Sequence, residues 1–64
     1  MIKENTNIKV GWFVKKYNKF QVRFGKYDEN SKEWIAKNGN KCLTFFDTYR
    51  NRYTTAINYF VNEV

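Results

Sequence analysis

The chain has 64 residues, with twelve Lys and Arg against six Asp and Glu, a net charge of +6, thirteen aromatics and no His or Pro. With one cysteine, Cys42, an internal disulfide is excluded, and without His the commonest general base and any His-containing zinc set are excluded too. No run of about eighteen apolar residues offers a membrane helix, and "MIKENTNIKV" lacks a signal-peptide core, so a soluble cytoplasmic protein without membrane contact is expected.

A single small domain over residues 8–64 is expected, behind a flexible, polar segment 1–7. A chain this short buries only about 60% of its unfolded surface, so the aromatics must supply most of the core. "IKVGWFVKKY" alternates Ile8, Val10, Trp12 and Val14 against Lys9, Gly11, Phe13 and Lys15. "FQVRFGKY" alternates Phe20, Val22 and Phe24 against Gln21 and Arg23, so both stretches read as strands of one hairpin. A three-residue loop, 17–19, pairs Val14 with Val22 and Trp12 with Phe24 and makes one apolar face. A two-residue loop pairs Val14 with Arg23 and mixes the faces. The longer loop is expected, with Val10, Trp12, Val14, Phe20, Val22 and Phe24 in the core. The other face then carries Phe13, Lys15, Tyr17, Lys19, Gln21 and Arg23, with Phe13 opposite Arg23 and Lys15 opposite Gln21.

"DENS" has turn chemistry, "KEWIAK" reads as a short strand, and Asn38-Gly39 signals a hairpin closed by "KCLTFFD". Cys42 in that last strand reads as a small core residue. Trp34 or Ile35 must point outward if their strand is flat, and core is the expected place for the tryptophan. An exposed Trp34 would instead anchor a protein interface.

The stretch "LTFFDTYRNRYTTAINYFV" carries two periods. Tyr49, Tyr53, Ala56, Ile57, Phe60 and Val64 fit a helix at about 49–63, and Tyr53, Thr55, Ile57, Tyr59 and Val61 fit a strand. Residues 49–64 contain one Ala and no Leu, Met, Lys or Gln, which favours the strand. A turn around 49–52 would let "YTTAIN" pair back on "CLTFF". The expected fold is all-β, a small five-stranded meander or SH3-like barrel, with an antiparallel sheet plus C-terminal helix as the alternative.

Charge points to function more than any motif does. Between Asn5 and Tyr27 lie Lys9, Lys15, Lys16, Lys19, Arg23 and Lys26 and no acid, a distribution that suits a polyanionic partner. Cations around an aromatic ring suit single-stranded nucleic acid, the cations holding phosphates while the ring stacks a base. The candidate nucleic-acid-binding set is Phe13, Lys15, Lys16, Tyr17, Lys19, Gln21, Arg23 and Lys26. Gln21 and Arg23 would read base edges if the hairpin entered a major groove. The plainer explanation is cross-strand cation–π packing and charge kept for solubility. Asp28, Glu29 and Glu33 cluster, but a solvated turn explains them better than calcium or acid catalysis. There is no Gly-rich phosphate loop, and neither an enzyme nor a cofactor nor a metal is expected.

Two resemblances bear on the chain. Phe46, Asp47, Tyr53, Thr54, Thr55 and Val61 resemble the closing hairpin of small SH3-like β-barrel proteins of tailed bacteriophages, although Arg52 stands where Gly is expected. "NKFQVRF" followed by "FFDT" resembles the DNA-reading sheet of AP2-type and integrase N-terminal domains, where a terminal helix braces three strands. Both resemblances imply a non-enzymatic accessory or regulatory protein, and they favour DNA over RNA as partner. The first implies a phage-encoded protein in a bacterial host's cytoplasm. The alternative is a small phage inhibitor or adaptor that binds a host protein.

Overall fold

Strands form where β-branched and aromatic residues alternate with polar ones, and asparagines mark their ends. The computed structural model describes residues 3–64, and it folds into six antiparallel strands. These are β1 (Thr6–Val14), β2 (Lys19–Tyr27), β3 (Lys32–Ile35), β4 (Lys41–Asp47), β5 (Arg52–Ile57) and β6 (Phe60–Glu63). Asn5, Asn18, Asn51 and Asn58 all have left-handed backbones, with φ between 50° and 63°, and each stands at a strand junction. Asparagine tolerates this region because its short amide can hydrogen-bond locally. Asn51 therefore turns the chain between β4 and β5, one residue before Arg52, without a glycine.

The strands follow the order β3-β4-β2-β1-β6, and β5 pairs with β4. One edge of β4 is shared, Lys41–Thr44 pairing with β3 while Phe46 and Asp47 pair with β2. The other edge holds β5, with Leu43 opposite Ala56. Only Asn58 and Tyr59 separate β5 from β6, which lies on β1, so the sheet curls round its own interior. That interior holds Ile8, Val10 and Trp12 from β1, Leu43 and Phe45 from β4, and Ala56 from β5. Trp12 meets Phe45 edge to face at 6.0 Å.

The all-β fold is the expected one, and the fifth strand lies back on the fourth as expected. A sixth strand is added. The helix alternative over 49–63 is excluded, because 52–57 and 60–63 are strands whose Thr54, Thr55 and Val61 have cross-strand partners. Among the described residues only Lys15–Tyr17 are helical, as one 3-10 turn. Of the segment expected to be flexible, Thr6 and Asn7 belong to β1, and Met1 and Ile2 lie outside the described residues. Among the described residues no helix is long and apolar enough to cross a membrane.

The first hairpin corrects the expected register. Phe13 pairs with Phe20, Trp12 with Gln21, Val10 with Arg23 and Lys9 with Phe24. Neither expected loop forms. A four-residue connection, Lys15 to Asn18, closes instead as a 3-10 turn, with the left-handed Asn18 donating to Lys15 O at 3.1 Å. The pairing is slipped by three residues, and an odd slip exchanges the two faces of a strand. Gln21, Arg23, Gly25 and Tyr27 therefore share the face of β1's buried Ile8, Val10 and Trp12, while Phe20, Val22 and Phe24 point outward. Trp34 is corrected as well. It is 39% exposed, with Nε1 donating to Thr44 Oγ1, and Ile35 beside it is exposed too. Cys42 is buried, as expected.

Gly25 explains much of the slip. It is buried opposite Asp47, where β4 presses on β2. A Cβ there would stand 2.3 Å from Phe46 O and 2.6 Å from Phe45 Cδ2. A backbone carbonyl and a core ring have little freedom to yield. Gly25→Ala should therefore cost about 3 kcal/mol, the upper part of the overpacking range, read as a lower urea midpoint. An unchanged midpoint would contradict this packing.

Candidate nucleic-acid interface

The exchanged faces leave an unusual outer surface. By register, β1 contributes Lys9, Gly11 and Phe13, β2 contributes Phe20, Val22, Phe24 and Lys26, and β6 contributes Phe60 and Asn62. Phe13, Phe20, Phe24 and Phe60 are exposed by 50%, 53%, 57% and 42%. No carboxylate belongs to this set. Phe20 and Phe60 lie parallel, 5.6 Å apart with 9° between their planes. Gly11 makes this possible, since a Cβ there would stand 2.3 Å from Phe60 Cε1 and 2.9 Å from Phe20 Cε2. An apolar face of this kind on a small, highly charged domain is a candidate interaction surface.

The expected site residues divide. Phe13 and Lys26 lie on this outer face. Lys15, Lys16 and Tyr17 form the exposed 3-10 turn that follows Phe13, with Lys16 Nζ 5.5 Å from the Tyr17 ring centre. Lys19, also exposed, opens β2. Gln21 and Arg23 are turned to the opposite face, so they do not stand beside Phe13 as the expected register would have them. Phe20, Phe24, Phe60 and Lys9 join the surface although none was in the expected set. Their alternation was visible in the chain, but the loop length that decides their side was not.

Arg23 reaches Asp47, a fully buried carboxylate. Asp47 Oδ1 accepts from the backbone N–H groups of Tyr49 and Arg50 at 3.0 and 3.1 Å. Its Oδ2 accepts from Thr54 Oγ1 at 3.4 Å and lies 3.8 Å from Arg23 Nε and 3.9 Å from Arg50 Nε. Thr48 donates to Phe24 O from its hydroxyl at 2.8 Å and from its backbone N–H at 3.3 Å, so the turn before β5 is tied to β2 twice. Beside this junction opens a hollow of about 350 Å³, lined by Val22, Arg23, Phe24, Thr48 and Tyr49.

Two carboxylates outside this set accept from tyrosines. Asp28 accepts from the Asn30 backbone within its turn and from the Tyr53 hydroxyl. Those bonds, the tyrosine's first, hold its carboxyl below the usual range. Glu33 accepts from Tyr59, whose phenol is pushed upward by burial and then by that bond. Among the described residues, no three Cys, Asp or Glu are grouped as metal ligands. No family model, curated protein or solved structure matches the chain, so the surface is interpreted from its own geometry.

Proposed function

We propose that the protein binds single-stranded nucleic acid, without catalysis, on the outer face of β1, β2 and β6. One observation carries this reading: four half-exposed phenylalanines share a sheet face with Lys9 and Lys26 and with no acid. Rings that stand open on a sheet accept bases for about 1–3 kcal/mol each, and stacking of this kind needs bases that are unpaired. The lysines of the hairpin tip, Lys15, Lys16 and Lys19, extend the positive border along which phosphates would run. Major-groove reading of a duplex has less support, because Gln21 is turned to the other face and Arg23 stands at the junction with Asp47, apart from Phe13 and the hairpin tip. An accessory or regulatory role of the phage type is the setting that the first resemblance implies.

Salt dependence tests the reading. Engaging three or four phosphates should give a slope of log affinity against log salt of about −2 to −3 for a short single strand. Replacing both Lys15 and Lys19 by Ala should flatten that slope by about 1.4, because each exposed lysine would neutralise one phosphate, at about 0.7 per charge on a single strand. Absence of affinity for DNA and RNA at low salt would sink the proposal. The face would then be better explained as a docking surface for a host protein.

A further inference from the structure

We propose that the hollow beside the phenylalanine face selects one guanine base from the bound strand. This inference rests on the proposed single-strand binding and adds base preference to it. Phe24 belongs to both surfaces, so a strand stacked on the face can place its next base in the hollow without leaving the protein. At about 350 Å³ the space lies near the lower end of small-molecule sites, about 300–1,000 Å³. Its lining suits a flat aromatic group, since it includes Val22, Phe24 and Tyr49, the last 85% exposed.

The charged group lining the hollow, Arg23, is a donor. Arg23 holds its guanidinium 5.7 Å from the Tyr49 ring centre and spends one Nη1 hydrogen on Val22 O at 3.0 Å. Its Nε is buried without a hydrogen-bond partner, 3.8 Å from Asp47 Oδ2. Among the described residues nothing accepts from Nη2, so an Nη1–Nη2 pair of donors remains available. Two arginines, Arg23 and Arg50, face the single carboxylate of Asp47, and the junction keeps a positive charge. A planar pair of donors beside an aromatic wall matches a base edge with two adjacent acceptors. Guanine has that edge in O6 and N7; an unpaired cytosine offers N3 and O2, but its single ring covers less of an aromatic wall, while adenine sets an amino donor beside N7 and thymine an N–H beside each carbonyl.

The test compares oligothymidylates of equal length by fluorescence anisotropy, one carrying a single central dG. The wild-type protein should bind the dG strand roughly tenfold tighter, in line with one bidentate contact. Replacing that dG by 7-deazaguanine removes the N7 acceptor and should remove most of the gain while leaving the protein unaltered. Arg23→Lys and Tyr49→Ala should each bring the dG-to-dT ratio close to one. The second is certain to be informative if the first misfolds, because the Tyr49 side chain is largely free of the fold. Equal affinity for both strands overturns the guanine inference and leaves single-strand binding standing. A larger gain from a 5′-phosphate than from dG overturns it in favour of an anion site. Binding of no oligonucleotide overturns both.

Discussion

Asp47→Ala should lower stability by about 3–5 kcal/mol, the usual consequence of breaking a buried, hydrogen-bonded ion pair from one side. A domain of this length has only about 3–10 kcal/mol in total, so much of the population should unfold at room temperature. Three losses coincide at this residue. The backbone N–H groups of Tyr49 and Arg50 lose their acceptor, and the turn into β5 loosens. Arg23 and Arg50 face each other with no carboxylate between them. The pairing of Asp47 with Gly25, which joins β4 to β2, also loses its anchor. Asp47→Asn should cost less, because an amide oxygen can still accept from the turn. Urea denaturation followed by circular dichroism measures both variants, and a near-wild-type midpoint for Asp47→Ala would refute this role.

Removing two rings from the outer face should affect binding far more than folding. Phe13→Ala combined with Phe24→Ala should weaken single-strand binding roughly 100-fold, taking the lower half of about 1–3 kcal/mol per stacked base. Both rings are half exposed, and neither covers Gly11, the place taken by Phe20 and Phe60. Their loss should therefore change stability by no more than about 1 kcal/mol per site, the scale of a cross-strand pair. The salt slope should stay as in the wild type, since stacking releases no counterions. Lysine and phenylalanine variants thus separate the two components, one changing the slope and the other the intercept. A double variant that binds normally would remove the rings from the interface.

The strands were legible in the chain because their alternation is a local property. β1, β2 and β4 lie within two residues of where period two places them, and the poor helix formers after Tyr49 pointed to the strand at β5. The pairing of β4 with β5 followed from the short turn between them. Register was another matter. It depended on whether Lys15–Asn18 closes as a 3-10 turn, and that rests on one left-handed backbone at Asn18. Asn51 and Asn58 turn the chain between strands with the same backbone, so each was a turn signal beside the Asn38-Gly39 pair. β6 was missed because the bend at Asn58 interrupts the alternation from Tyr53 to Val61.

The candidate surface was legible in its charge and not in its aromatics. An acid-free run of six cations needs no register to be seen, and Phe13 was placed on the outer face, where it lies. Phe20 and Phe24 were assigned to the core because apolar alternation identifies a face without saying which side the interior takes. That choice was made at a distance. Gly25 admits β4 to the inner face, and Arg23 on the same side reaches the buried carboxylate of Asp47. Both contacts join residues more than twenty positions apart, beyond the reach of any local pattern. Phe60 completes the surface only because the chain returns to β1 after β5.

Whether unpaired bases stack on the phenylalanines of β1, β2 and β6 is read by titrating the wild-type protein with a short oligothymidylate and following aromatic and methyl side-chain resonances by NMR. Ring-current shifts should concentrate on Phe13, Phe20, Phe24 and Phe60, with Trp34 and Ile57, on β3 and β5, unaffected. Shifts centred on Trp34 and Ile57, or none at low salt, would contradict stacking on this face.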